Sequence, residues 1–481
     1  MTFAPQTLRR AVVAMLALTL AHSAATRAFA AEKPRIRVSD YSIDATVNPL
    51  GHKLSAHARV KFSALDDISI ATFELHNALR VTKVTTEDGT PLTAERVSQD
   101  STIRVALPSG LAKGQEMTLL FDYEGTIQNA DDSPVQGLSL AYIGDPVTYL
   151  LYAGRWFPVS GYGVDRFSAV MRITVPAGYT VIGSGKREDA AAANSAGNLP
   201  VINAQNEPKL HHQHHGEKPE PPKPAPAPAF PGGNTVVFRW EKPSSPGSIF
   251  IGKYTDTSVS EAGLTIHVFF LQDHVGQAQE YGETAAKEFA YFTTLYGVPL
   301  SHDLRLVQMP DDTVPAAWAP DVAALSSRAI GYKLNYRLLS NMIAHQWWGV
   351  DISPKTRNDW WIQDGGARYS EARYIEFAAG RAGADEAVKD MCVGALAYEN
   401  VPLAQAGTLD TFDPVFQSLV TDKGGMVFHM LRWTLGESKY DDAMRDLMTQ
   451  FAGQPVSTKD LTKVSEQAAG EQMVWFFSQW L

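Results

Sequence analysis

The chain has 481 residues, 44% hydrophobic and 10% aromatic, which suits a folded protein of two or three domains rather than one compact core. Its formal charge of −10 argues against a nucleic-acid partner, because phosphate recognition needs a basic surface and no basic stripe is present. The single cysteine, Cys392, excludes an internal disulfide, so the fold must stand on its core alone.

At the N-terminus Arg9 and Arg10 precede the apolar run Ala11 to Ala21 and the small-x-small triplet Ala28-Phe29-Ala30, the layout of a signal peptide over residues 1–30. The run is too short for a membrane span, and nothing later offers ~18 continuous apolar residues. The mature chain is therefore expected to be exported, periplasmic or extracellular, with no transmembrane segment.

From about Arg35 to Lys186 short runs alternate with period two. Tyr41, Ile43, Ala45 and Val47 share one face, as do Ala58, Val60 and Phe62, with His57, Arg59 and Lys61 opposite, and Met117, Leu119, Phe121 and Tyr123 repeat the pattern. Turn signals at Asn48-Pro49 and Asp88-Gly89 suit antiparallel strands joined by hairpins. Residues 31–254 thus read as an N-terminal β domain, interrupted by a His/Pro-rich loop over 205–233. His211, His212, His214 and His215 in that loop imply no fixed metal geometry.

One or two more strands, in Val236 to Trp240 and Leu264 to Phe270, lead to a change of period. Ala278, Tyr281, Ala285, Phe289 and Phe292 sit at helical spacing, and the helix should stop at Gly297-Val298-Pro299. The remainder reads mostly helical, with Ser457 and Asp460 as a capping box before a helix starting near Leu461.

Residues 341–349 read NMIAHQWWG. In zinc peptidases of the H-E-x-x-H type, two His at i and i+4 grip the metal from one helix face, and the Glu between them takes a proton from the zinc-bound water. Through AHQWWG at 344–349 and NDWWIQDGGA at 358–367, the chain resembles the M1 family of zinc aminopeptidases, in the gluzincin group. YSIDATVNP at 41–49, GRWFPV at 154–159, VTDKGGMVFHMLR at 420–432 and FFSQWL at 476–481 extend the resemblance along the chain.

The resemblance implies a saddle-like N-terminal antiparallel β domain followed, over 255–481, by a mainly helical thermolysin-like α+β domain, with the family's usual C-terminal domains absent. It places the metal positions at Asn341, His345 and Asp364, the general base at Met342, the oxyanion donor at Thr421 and the amine anchor at Trp318, within VPAAWAPDV. Only His345 keeps the chemistry its position needs. An amide oxygen at Asn341 is a poor zinc donor, and Asp364 is one methylene shorter than Glu. A thioether at Met342 cannot accept a proton, and Thr421 lacks the reach of a phenol. Trp318 supplies a ring to fill the cleft or stack on a substrate.

Leu334, Leu338 and Met342 also make an apolar i, i+4, i+8 line that buries a helix face. Glu371, which matches a family carboxylate, is expected to pair with Arg368 or Arg373. Gln346, Trp347, Asn358, Asp359 and Trp360 read as packing positions. The expected function is an exported, catalytically impaired M1 peptidase-like protein that keeps its cleft for a peptide or protein and needs no cofactor. The alternative is an active zinc-dependent metallopeptidase, aminopeptidase-like, using non-standard ligands such as Glu371 or the His-rich loop. An exposed apolar surface is expected near Trp475 to Leu481.

Overall fold

The structure, a computed structural model, describes residues 35–189, 230, 232–300, 303–398 and 401–481, apart from 136, 162, 163 and 262. The signal-peptide reading and the His/Pro-rich loop up to residue 229 lie outside the described residues.

The N-terminal part is built on a seven-stranded sheet. Its strands are β1 (Ile36–Asn48), β2 (Lys53–Ala64), β3 (Leu79–Thr86), β4 (Glu116–Thr126), β5 (Phe167–Val175), β6 (Lys186–Asp189) and β7 (Asn234–Ser244), in the order β6-β7-β5-β1-β2-β4-β3. The period-two faces behave as expected: Tyr41, Ile43, Ala45, Val47, Ala58, Val60 and Phe62 are all buried, so alternation in sequence becomes one apolar face. One expectation is corrected. β1 pairs with β5 in parallel, Asp40 opposite Ser168 through Thr46 opposite Thr174, so the sheet is not all antiparallel hairpins. More than 100 residues separate those strands, ample for the crossover that a parallel pair requires.

The second part holds a five-stranded sheet of β8 (Thr255–Glu261), β9 (Leu264–Phe270), β10 (Arg305–Met309), β11 (Ala316–Ala319) and β12 (Val322–Ser326), in the order β8-β9-β10-β12-β11. Four of these strands, all but β9, escaped the sequence reading, which continued as mostly helical after residue 299. β9, β10 and β12 run parallel and are covered on both faces, so they lack polar alternation. Val268, Leu306 and Leu325 face the helices. Phe269, Val307 and Ala324 face a small four-stranded sheet of the N-terminal part, whose Tyr149, Ile182 and Phe250 complete the shared core.

Polar contacts lock the same junction. Arg305 Nη1 donates to the carbonyls of Gly183 (2.7 Å) and Gly185 (3.1 Å), Asp321 Oδ2 accepts from Gly185 N (3.0 Å), and Arg166 Nη2 donates to Val350 O (2.8 Å).

Among the described residues eight α-helices complete this part: α1 (Ala278–Tyr296), α2 (Tyr336–Ala344), α3 (Trp360–Ala397, broken at Gly380), α4 (Gly424–Leu435), α5 (Glu437–Gln450), α6 (Thr458–Ala469) and α7 (Val474–Trp480), together with the single turn Pro414–Gln417 between α3 and α4. α1 ends at Gly297 with φ +89°, as its sequence predicts, and Ser457 and Asp460 form the expected capping box, with α6 starting at Thr458. Among the described residues no helix is long and apolar enough to cross a membrane.

α3 meets the start of α4 backbone to backbone. A Cβ on Gly365 would lie 2.5 Å from the Gly424 carbonyl carbon and 2.7 Å from its Cα. Neither backbone can swing aside, so Gly365→Ala is expected to cost about 1–3 kcal/mol in urea unfolding. Gly276→Ala, where nothing lies within 4 Å, serves as the neutral control.

Candidate functional site

α2 carries the first two positions of the motif. Asn335 caps it by accepting from Leu338 N (3.3 Å), and the helix ends at Ala344, leaving His345 as its C-cap residue. Met342, 8% exposed, points into the helical core, and Leu334 and Leu338 pack against the same core. Its sulfur cannot serve as a base and is held by packing.

His345 is 5% exposed. Its Nδ1 lies 2.7 Å from Trp348 O, and since a carbonyl only accepts, Nδ1 carries the proton and Nε2 keeps the lone pair. The indole of Trp318, on edge strand β11, lies on the imidazole with ring centroids 4.5 Å apart and planes at 9°. The ring fits there because Gly349, with φ +133°, has no side chain: a Cβ would meet the indole at 2.6 Å.

Burial drives the His345 pKa down to about 3, against a weaker opposing pull from the Trp348 carbonyl. The unfolded chain therefore binds this proton first as pH falls. The stability that His345 contributes is complete above the ordinary imidazole range near 6.5 and is lost as pH drops through it toward 3. His345→Phe should reduce the acid slope of unfolding free energy by about 1.4 kcal/mol per pH unit, read from denaturant titrations between pH 6 and about 4. An unchanged slope would show that His345 titrates normally.

Asn341 faces a different neighbour. Its Nδ2 donates to Glu371 Oε2 (3.4 Å), while Glu371 Oε1 accepts from Arg368 Nη1 (2.5 Å) and Arg337 Nε (3.2 Å). The expected Arg368 partner is present. Arg373 is not a partner: it pairs with Asp441 at 2.7 Å, and Arg337, three positions ahead of Ser340 on α2, takes its place. Asp364 turns to its own helix, accepting from Gln363 Nε2 (2.9 Å) and the Trp360 indole, and burial raises its carboxyl to about 6. Among the described residues no hydrogen bond joins Asp364 to Asn341 or His345, and no three His, Cys, Asp or Glu side chains come together as a metal set.

Thr421 stands half-buried in a π-helical stretch, Ser418–Lys423, just before α4. The packing positions act as scaffold. Gln346 accepts from Asp321 N (3.0 Å) and donates to Ala319 O (3.1 Å), Trp347 Nε1 donates to Gly297 O (2.9 Å), and Asp359 accepts from Thr458 N (2.8 Å). Gln346 thereby holds the β11–β12 turn, and Trp318 with it, against the end of α2.

Comparison with protein families matches residues 330–480 to the Peptidase family M1 domain. Over these residues the chain is similar to the M1 peptidases. Aminopeptidase M1-B of Oryza sativa subsp. japonica is 25% identical to the chain over 205 residues, which are 40% of this chain and 23% of that protein. Human Endoplasmic reticulum aminopeptidase 2 is 23% identical over 130 residues, 26% of this chain and 14% of that one. The chain thus spans about a quarter or less of the length of these M1 relatives. An M1 zinc metallopeptidase from Deinococcus radiodurans shares the fold, with a TM-score of 0.68 and 18% identity over 93% of this chain and 94% of that one. The M1 two-domain fold therefore extends to the β-rich half that the family match leaves out.

The Trp318–His345 stack and the Arg337–Glu371 pair went unread in the sequence. Both join residues from different elements, and no local pattern in the sequence links them.

Proposed function

We propose that this M1-like protein is exported, has lost the peptidase step, and uses its cleft to bind an extended peptide or protein segment. The observation that carries the reading is the Trp318 indole stacked on His345, the one metal-type ligand left in the motif. The other donors do not fit zinc: the Asn341 amide is engaged with Glu371, and the Asp364 carboxylate is held on its own helix by Gln363. Met342 offers no base. Export rests on the signal-like residues 1–30.

Binding is supported by β11, the edge strand of its sheet, bonded only to β12 on one side. Edge strands carry outward N–H and C=O groups able to pair with an extended chain. A second reading, an active zinc enzyme, draws on one observation: the Nδ1–H of His345 bound to a carbonyl leaves Nε2 as a metal-ligating histidine holds it.

Metal analysis of protein purified without a His tag, paired with a peptide-cleavage assay, separates the two. The expected result is no stoichiometric zinc and no chelator-sensitive cleavage. About one zinc per chain, lost in His345→Ala, would overturn the proposal.

A further inference from the structure

Where the N-terminal part meets the second part, Arg166, just ahead of β5, Lys186 on β6, and Arg239 and Lys242 on β7 line a cavity of about 320 Å³. The β11–β12 turn, at Pro320 and Asp321, bounds it from the second part. The lining acids are Glu188 and Asp321, so four cations face two anions, a local charge of +2 in a chain of net charge −10.

Both acids are already engaged. Glu188 pairs with Arg239 at 3.2 Å, and Asp321 Oδ2 accepts from Gly185 N at 3.0 Å. The remaining cations lack such partners. Lys186 and Lys242 are exposed, and among the described residues no carboxylate pairs with either. Arg166 spends Nε and Nη2 on the neutral carbonyls of Pro243 and Val350, while its buried Nη1 has no hydrogen-bond partner. Burial holds its pKa down to about 10, with Asp351 pulling weakly the other way, as for a cation taken from water without a counter-ion.

We propose that this cavity binds the phosphate group of a small organic monoester. Such a phosphate carries about −1.5 to −2 at neutral pH, which matches the local +2, and offers three acceptor oxygens to one guanidinium and two ammonium groups. A monocarboxylate would leave half of that charge unmet. Phosphate alone does not fill the cavity, and Trp240, Pro243 and Pro320 give the ester's organic part an apolar wall. The cations stand on the N-terminal part and the turn on the second, so a bound ester bridges the two and should raise the melting temperature.

Calorimetric titration of the full chain with phenyl phosphate, inorganic phosphate and benzoate, at low ionic strength where screening is weak, tests this. Phenyl phosphate should bind once per chain, at least ~tenfold tighter than either of the others. Lys186→Glu and Lys242→Glu reverse exposed charges, so both variants should fold as the wild type does, and each should weaken phenyl phosphate at least ~tenfold. Lys333→Glu, the same charge change at an exposed lysine outside the cavity, should bind like the wild type. No saturable binding of phenyl phosphate at millimolar concentration overturns the proposal, as does binding indifferent to both variants or benzoate held as tightly as the ester. Inorganic phosphate held as tightly as phenyl phosphate overturns the assignment of an organic part.

Discussion

Restoring Asn341→His, Met342→Glu, Asp364→Glu and Thr421→Tyr together is expected to leave the protein without tight zinc for as long as Trp318 remains, and adding Trp318→Glu is expected to admit about one zinc per chain. The reason is geometric. Four substitutions rebuild the donors and the base, but a metal on Nε2 must lie in the imidazole plane, and the indole stacked on the face of that ring at 4.5 Å holds the plane fixed, so His345 cannot turn its lone pair toward the rebuilt donors while Trp318 remains.

The metal-free five-site protein should be less stable than the wild type, because Met342→Glu puts a carboxyl into a position only 8% exposed. Zinc at about 100 to 1,000 times its dissociation constant then adds roughly 2.7–4.1 kcal/mol. For a protein of this size that is a rise in melting temperature of about 3–4 °C, reversed by chelator. Recovery of the base alone is worth ~10²–10⁴-fold in hydrolysis, so weak chelator-sensitive peptide cleavage should accompany the metal. If the four-site protein that keeps Trp318 binds zinc as tightly as the five-site one, the indole is not the obstacle, and the loss lies in the donors alone.

That experiment turns on what sequence could and could not convey. Helical spacing from Ala278 to Phe292, the stop at Gly297 and the Ser457/Asp460 box are local signals, each decided within a few residues, and the fold follows them. β10 and β12 were missed because strands covered on both faces read as plain apolar runs, with no period to betray them. The parallel pairing of β1 with β5 joins residues more than 100 apart, beyond any local pattern.

At the site, the identities of Asn341, Met342 and Asp364 were legible because a motif specifies them one position at a time. The stack of Trp318 on His345 was not, since it depends on Gln346 fixing the β11–β12 turn against the end of α2. Likewise Glu371 found Arg368 one helical turn away, as i, i+3 spacing allows, but its second cation came from another helix.

Glu288→Met is expected to stabilise the protein at pH 8 and by far less at pH 5. Glu288 sits on α1, fully buried, and neither of its carboxylate oxygens has a hydrogen-bond partner. Desolvation first, and the Glu371 carboxylate second, hold its pKa well above the usual range. Folded, it keeps its proton; unfolded, it releases it above about 4.3. The folded state thus binds the extra proton, and stability is complete below the unfolded pKa and falls by about 1.4 kcal/mol per unit as pH rises toward the folded one.

Met carries no proton and suits an irregular apolar site, so the variant loses this slope and gains most at high pH. Asp165 and Asp351, raised by burial to about 7, slope the same way and remain in the variant, so its stability still declines with pH, only less steeply. Denaturant unfolding of both proteins at the two pH values decides it. A gain of equal size at pH 5 and pH 8 would mean that Glu288 costs stability through its shape alone, and that its proton plays no part in the tuning of the core behind Asn341 and Glu371.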